Sequence, residues 1–420
     1  MTETSCPTVL RGGRSPSLLA AALATLVLAT GCKKEEAVRA DVDFYKKVQE
    51  QLIRAKPDAV IELPEGRFQL DRSLSSTVDG VTIRGKGPDK TILSFKGQTQ
   101  GAEGLLVKGN RITIEDLAIE DMKGDAIKIS GSDGVVIRRV RAEWTGGPKA
   151  TNGAYGLYPV QCKNVLIEDS VAIGASDAGI YVGQSEHVIL RRNKAMQNVA
   201  GIESENTKYA DIYENTATGN TGGILVVDLP DLPVQGGKST RVFNNDVYGN
   251  NTDNFAPEGN IVATVPAGTG VMIMASDQVE VFNNRVRDNQ AVNLALVSYF
   301  VADKPIKDKN YDPYPESISI HDNTFSGGGD APGGLLLRLL ALKLGKPLPD
   351  ILYDGIIDGK KLTPQGMLPE ELRLCIRNNG DADFANVDLE HKSADIRRDL
   401  APHDCAHASY EPVKLTGVTQ

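Results

Sequence analysis

Glu203 and Glu205 stand two residues apart in Gly201-Ile202-Glu203-Ser204-Glu205, a stretch whose apolar–polar alternation reads as a strand. Side chains two apart share a strand face, with Cα atoms about 7 Å apart. Two carboxyls so placed supply an acid and a base for removing a proton beside a carboxylate. They also suit the pair, about 5–9 Å apart, that flanks a glycosidic bond in hydrolysis. Lys128, Tyr158 and Tyr181 hold the same outward position in earlier segments. An ammonium there neutralises a uronate carboxylate, and a phenol ring stacks on a sugar face. Asp177 precedes the Tyr181 segment and Trp144 lies in a long loop, each placed to touch the same ligand. Glu203, Glu205 and Lys128 are therefore the candidate catalytic groups, with Tyr158, Tyr181, Asp177 and Trp144 as candidate substrate contacts. A solvated ladder of polar side chains on an exposed sheet would use the same residue types without any chemistry.

A repeat must position these groups. Segments such as Ile112-Thr113-Ile114-Glu115-Asp116, Val188-Ile189-Leu190-Arg191-Arg192-Asn193 and Ile318-Ser319-Ile320-His321-Asp322-Asn323 recur along the chain. The apolar residue three places before the closing corner falls at 114, 137, 167, 190, 212, 242, 281 and 320, giving spacings of 23, 30, 23, 22, 30, 39 and 39. Three short strands and three tight turns use about twenty-two residues, so the longer intervals are the same coil with a loop inserted. Helices would repeat every 3.6 residues and propeller blades every forty or so. Asparagine recurs at the corner as Asn193, Asn215, Asn245, Asn284 and Asn323. It tolerates a left-handed turn and can bond the neighbouring rung. On the second strand of each coil the outward row runs Lys128, Tyr158, Tyr181, Glu203, Leu225, Met272, Ala295, and the next row Glu205, Val227, Met274. The early rungs are polar and aromatic. The later, apolar rungs are expected to lie beneath loops or a C-terminal helix, and insertions at 143–155, 228–240, 252–269 and 301–316 border the face.

From Val42 to Ala55, Phe44, Val48, Leu52 and Ile53 recur at helical spacing, which predicts a helix blocking the open edge of the first coil. With the strand and turn after it and the coils downstream, this opening resembles the right-handed parallel β-helix of the pectin-lyase-like superfamily over roughly residues 42–325. The resemblance implies an all-β solenoid and, as in its enzyme members, an outer groove that binds polymers between inserted loops. Residues 152–160, 174–185 and 221–230 more narrowly resemble exported bacterial β-helix repeat lipoproteins, which implies no particular reaction. Ala401-Pro402-His403-Asp404 resembles the Asp-Pro-His-Asp element of alginate epimerases, with alanine at its first position and a place outside the coils. The chain thus divides into a signal peptide at 1–31, a lipidated tether and capping helix at 32–58, a parallel β-helix at 59–330, and a C-terminal cap or fold-back segment at 331–420.

Arg11 and Arg14 precede an apolar run from 18 to 28 that is followed by Ala29-Thr30-Gly31-Cys32, the parts of an export signal. Small residues before Cys32 resemble a bacterial lipobox, which implies cleavage before Cys32, lipidation of its thiol, and a membrane-held protein facing the periplasm or the exterior. In an oxidising space Cys375 and Cys405 can pair. With 55 acidic against 46 basic side chains the chain has no basic excess to release counterions from nucleic acid. No haem, zinc-thiolate, nucleotide-loop or zincin motif occurs, so no cofactor is expected. Calcium stays open through Asp177, Asp228, Asp231 and Asp277, although turn chemistry explains these equally well. The function expected is an exported β-helix lipoprotein that binds or processes polysaccharide in a lyase-, epimerase- or hydrolase-like groove. The alternative is a non-catalytic envelope scaffold that docks another exported protein.

Overall fold

The computed structural model describes residues 39–418; the expected signal peptide at 1–31 and lipidation site Cys32 lie outside them. Helix α1 (Val42–Arg54) buries Val48 and Leu52 against the first coil. Its Phe44 ring stacks on Phe68 at 3.7 Å between centroids, and the Asp41 carboxylate before it accepts the Gln69 N–H at 2.7 Å. The helix thus closes one end of the stack, as its amphipathic spacing predicts.

From Val60 onward the chain winds as a parallel β-helix. Eleven strands form one sheet, and nineteen strands occupy the other sides of the coil. The apolar positions read from the sequence are register partners throughout: Ile114, Ile137, Ile167, Leu190, Ile212, Val242, Val281 and Ile320 pair in that order. They lie almost wholly out of water in one continuous core. A one-residue slip would turn every one of them to solvent, so burial fixes the register.

The corner asparagines form a hydrogen-bonded column. Each of Asn193, Asn215, Asn245, Asn284 and Asn323 donates its Nδ2 to the Oδ1 of the next at about 3 Å, ending on Asn379. A second column, Asn198–Asn220–Asn250–Asn289, was not anticipated. Its members follow the first set by five residues, a spacing visible in the sequence.

The coil continues past 330. Ile351–Tyr353 pairs with Leu294–Leu296, Leu374–Arg377 with Ile318–His321, and Phe384–Asn386 with Ile351–Tyr353. Residues 331–418 therefore contribute a further turn as well as a cap. Cys375 and Cys405 form a disulfide. Beyond it the chain folds back along the outside: the Tyr410, Val413 and Thr416 amides donate to Glu280, Asp211 and Asn164 on progressively earlier rungs. His403 packs edge-on against Phe384 and faces the Leu374 carbonyl, inside the terminal cap.

Candidate functional site

The eleven-stranded sheet carries every candidate of the first row. Lys128 pairs with Tyr158, Tyr181 with Glu203, Glu203 with Leu225, Leu225 with Met272 and Met272 with Ala295. Adjacent rungs are about 4.8 Å apart, so Tyr158, Tyr181 and Glu203 are stacked neighbours on one outer face.

That face is not the open groove the sequence suggests. Glu203 is 3% exposed and Glu205 8%. The insertions roof them: Val262 and Val265 from 252–269, Leu229 from 228–240 and Tyr311 from 301–316 join Tyr181, Leu225 and Val227 in a second apolar cluster. The two glutamates are therefore not a solvated pair, because loops bring apolar side chains down upon them. Tyr181 is likewise no stacking platform; it is buried, and its hydroxyl donates to Glu205 Oε1 at 2.6 Å. Trp144 is no platform either. The 143–155 insertion turns its indole into the main core, where Nε1 donates to the Met122 carbonyl at 2.7 Å.

Asp177 joins the glutamates from the preceding rung. Its Oδ2 accepts from the Tyr155 hydroxyl at 3.4 Å and from Asn260 Nδ2, on the roof, at 3.3 Å. Burial, and secondarily the charge of Glu205, pushes the Asp177 carboxyl up to about 7. Burial raises Glu203 well above the usual carboxylate range, with Asp177 and Glu205 adding repulsion. Glu205 is also raised by burial, but the Tyr181 hydroxyl opposes that rise. Glu203 Oε2 is buried without a hydrogen-bond partner. Such a group asks for a proton or a polar ligand.

Tyr155, Tyr158 and Tyr181 pack with ring centroids 4.3, 4.7 and 4.9 Å apart. Tyr155 was missed from the sequence, although it sits three residues before Tyr158 at the end of an insertion. Tyr158 and Lys128 are half-buried at the N-terminal edge of the roof. The Lys128 ammonium lies 4.8 Å from the Tyr158 ring centre and 3.5 Å from Asp125, a residue the sequence did not single out. This edge is where the cluster approaches solvent.

The later rungs are apolar and covered. Met272, Met274, Val292, Ala295 and Val297 lie beneath helix α2 (Leu335–Leu344), which buries Leu337 and Leu340 over a cavity of about 200 Å³.

Of the possible calcium ligands, Asp228 accepts the Gly237 N–H at 2.7 Å and Asp231 sits exposed at φ 63°, both turn roles. Asp277, Asp312 and Glu316 bring one carboxylate oxygen each within 4.8 Å of one another. Lys361 Nζ contacts Asp312 and Glu316 at 2.7 Å each and supplies the counter-charge there.

The family model described as right handed beta helix region matches residues 76–236. No curated protein matches the chain. Among solved structures, the A-module of the mannuronan C-5 epimerase AlgE4 of Azotobacter vinelandii is 18% identical, with 76% of this chain and 88% of that one covered and a TM-score of 0.51. The A-module of the epimerase AlgE6 from the same organism gives 16%, 76%, 87% and 0.46. The catalytic unit of a GH87 α-1,3-glucanase of Streptomyces thermodiastaticus gives 12%, 74%, 47% and 0.45. The likeness to the AlgE4 module, at 18% identity, shows with the family model the fold alone: a right-handed parallel β-helix.

Proposed function

We propose that this protein binds or processes polysaccharide at the N-terminal edge of the roofed face, with Lys128 and Tyr158 receiving the sugar and Glu203 and Glu205 handling protons. The observation that carries the reading is the desolvated carboxyl cluster itself. Burying carboxyls together without a cation costs stability, and such costs gather where chemistry needs them. Environments that push neighbouring acids apart assign their roles. Glu203, whose buried Oε2 has no hydrogen-bond partner, holds its proton as the acid; Glu205, which accepts the Tyr181 hydroxyl, is the base. A polyuronate is the first polymer to try, since the epimerase module sharing the fold is named for mannuronan and Lys128 suits a carboxylate.

The test is a panel of polyuronates and neutral glucans, read for both binding and product. Glu203→Gln should keep binding and lower turnover by about 10²–10⁴, and Lys128→Ala should weaken uronates alone. No binding and no product would overturn the reading, and full turnover in Glu203→Gln would misplace its centre. The 3% and 8% exposures of the glutamates favour a second reading, a non-catalytic envelope scaffold docking another exported protein. It expects silence across the same panel.

Export and anchoring belong to this proposal. They rest on Arg11, Arg14, the apolar run after them and the small residues before Cys32. Cells fed labelled fatty acid should yield labelled protein, and Cys32→Ser should lose the label; a label that survives the substitution would contradict the anchor.

A further inference from the structure

Helix α2 covers the late rungs with one face and offers leucines to water with the other. Leu337, Leu340 and Ala341 are buried, whereas Leu335, Leu336, Leu339 and Leu342 are 75%, 40%, 51% and 83% exposed. At about 100° per residue, Leu335, Leu339 and Leu342 fall within about 60° of arc. Arg338 flanks that stripe on one side and Lys343 on the other. An exposed apolar patch of this kind marks an interaction site.

The charge around the stripe says what it meets. From 331 to 349 the sequence has Arg338, Lys343 and Lys346 and no acidic residue, on a chain whose net charge is −9. Arg398, itself paired with Asp383 at 3.7 Å, donates to the Leu344 carbonyl at 3.0 Å, and Lys343 Nζ is steadied by the carbonyls of Lys392 and Ser393 at 3.0 and 2.9 Å. Protein interfaces draw on aromatic anchors and exclude lysine from their centres; this stripe is leucine alone between cations. A second copy of the chain would set the same positive flanks face to face. An apolar stripe bordered by basic side chains fits a bilayer surface, where leucines enter the acyl boundary and cations meet phosphates. Ten residues span about 15 Å, far short of a crossing.

We propose that α2 docks this protein onto an anionic membrane surface, with Leu335, Leu339 and Leu342 entering the interface and Arg338 and Lys343 on lipid phosphates. Such docking orients the solenoid by its late rungs and does not depend on any lipid at Cys32 or on the sugar chemistry.

Residues 38–420 form a compact unit of their own, so a chain of residues 39–420, which lacks Cys32, serves as the test protein. It should sediment with phosphatidylglycerol–phosphatidylcholine vesicles and only weakly with phosphatidylcholine alone. Leu339→Ser with Leu342→Ser should weaken that binding at least about tenfold. Arg338→Gln with Lys343→Gln should weaken it on anionic vesicles and flatten its salt dependence. The substituted leucines are exposed, so melting should be unchanged, and amide exchange across 335–344 should slow when vesicles are present. Absence of sedimentation would overturn the proposal. So would binding indifferent to the leucine substitutions, or a concentration-dependent dimer that those substitutions abolish.

Discussion

Asn245→Ala should lower the stability of this protein by about 3–5 kcal/mol, while Asn310→Ala should change it by less than about 0.5 kcal/mol. Asn245 Oδ1 accepts both the Asn215 N–H at 2.9 Å and Asn215 Nδ2 at 3.0 Å, and its own Nδ2 donates to the Ile212 carbonyl at 2.9 Å. Removing the side chain strands those partners where water does not reach, because Asn215 and Asn245 are each 1% exposed. Each stranded buried group costs about 1–3 kcal/mol. Asn310 is exposed and has no such side-chain partners, so it controls for asparagine as such. Coils contact mainly their neighbours, so the defect also divides the stack and should broaden or split the unfolding transition. Equal melting of the two variants, read by denaturant titration, would contradict the ladder.

Raising the pH from about 5 to about 8 should destabilise the folded chain, and Asp177→Asn should remove one carboxyl's share of that loss. Burial lifts Asp177, Asp228 and Asp277 to about 7 and Asp354 to about 6. Each binds its proton more tightly folded than unfolded. The stability they contribute is complete below about pH 4, where unfolded carboxyls are also protonated, and is lost as pH rises through their folded values. Moving one buried carboxyl from 3.8 to about 7 is worth about 4 kcal/mol at most. Asp116 and Asp169, held low by Arg139 and Arg192, act in the opposite sense, but only below about pH 4, so they do not mask the effect. Asparagine resembles the protonated acid and keeps the contacts to Tyr155 and Asn260. The variant should melt above the wild type at about pH 8 and approach it only below about pH 4. An unchanged pH slope would show that Asp177 ionises freely.

Much of the fold was legible because stacking imposes a period. A side chain at Leu190 must meet one at Ile167 and one at Ile212, so inward residues repeat at the coil length and the register can be read directly. The same rule ordered the outward row from Lys128 to Ala295. What covers that row has no period. Asn260, Val262 and Val265 reach the sheet from an insertion whose path depends on loop contacts, and so the burial of Glu203 and Glu205 was not readable. Trp144 failed for the same reason: its insertion folds inward to the Met122 carbonyl rather than outward. Within the extra coil, Leu374–Arg377 and the corner at Asn379 keep the legible strand-and-corner pattern, whereas Ile351–Tyr353 and Phe384–Asn386 are concealed because a helix and long loops interrupt the spacing.

Acid–base chemistry in this cluster requires a proton held at neutral pH among Asp177, Glu203 and Glu205. Infrared difference titration between about pH 5 and pH 9 observes it directly, through the carbonyl stretch of protonated carboxyls. The prediction is a carboxyl band that persists through neutral pH, diminished in Glu203→Gln, and whose component near pH 7, shared with Asp228 and Asp277, is reduced in Asp177→Asn. A spectrum in which every carboxyl has ionised by about pH 5, alike in wild type and both variants, would contradict it.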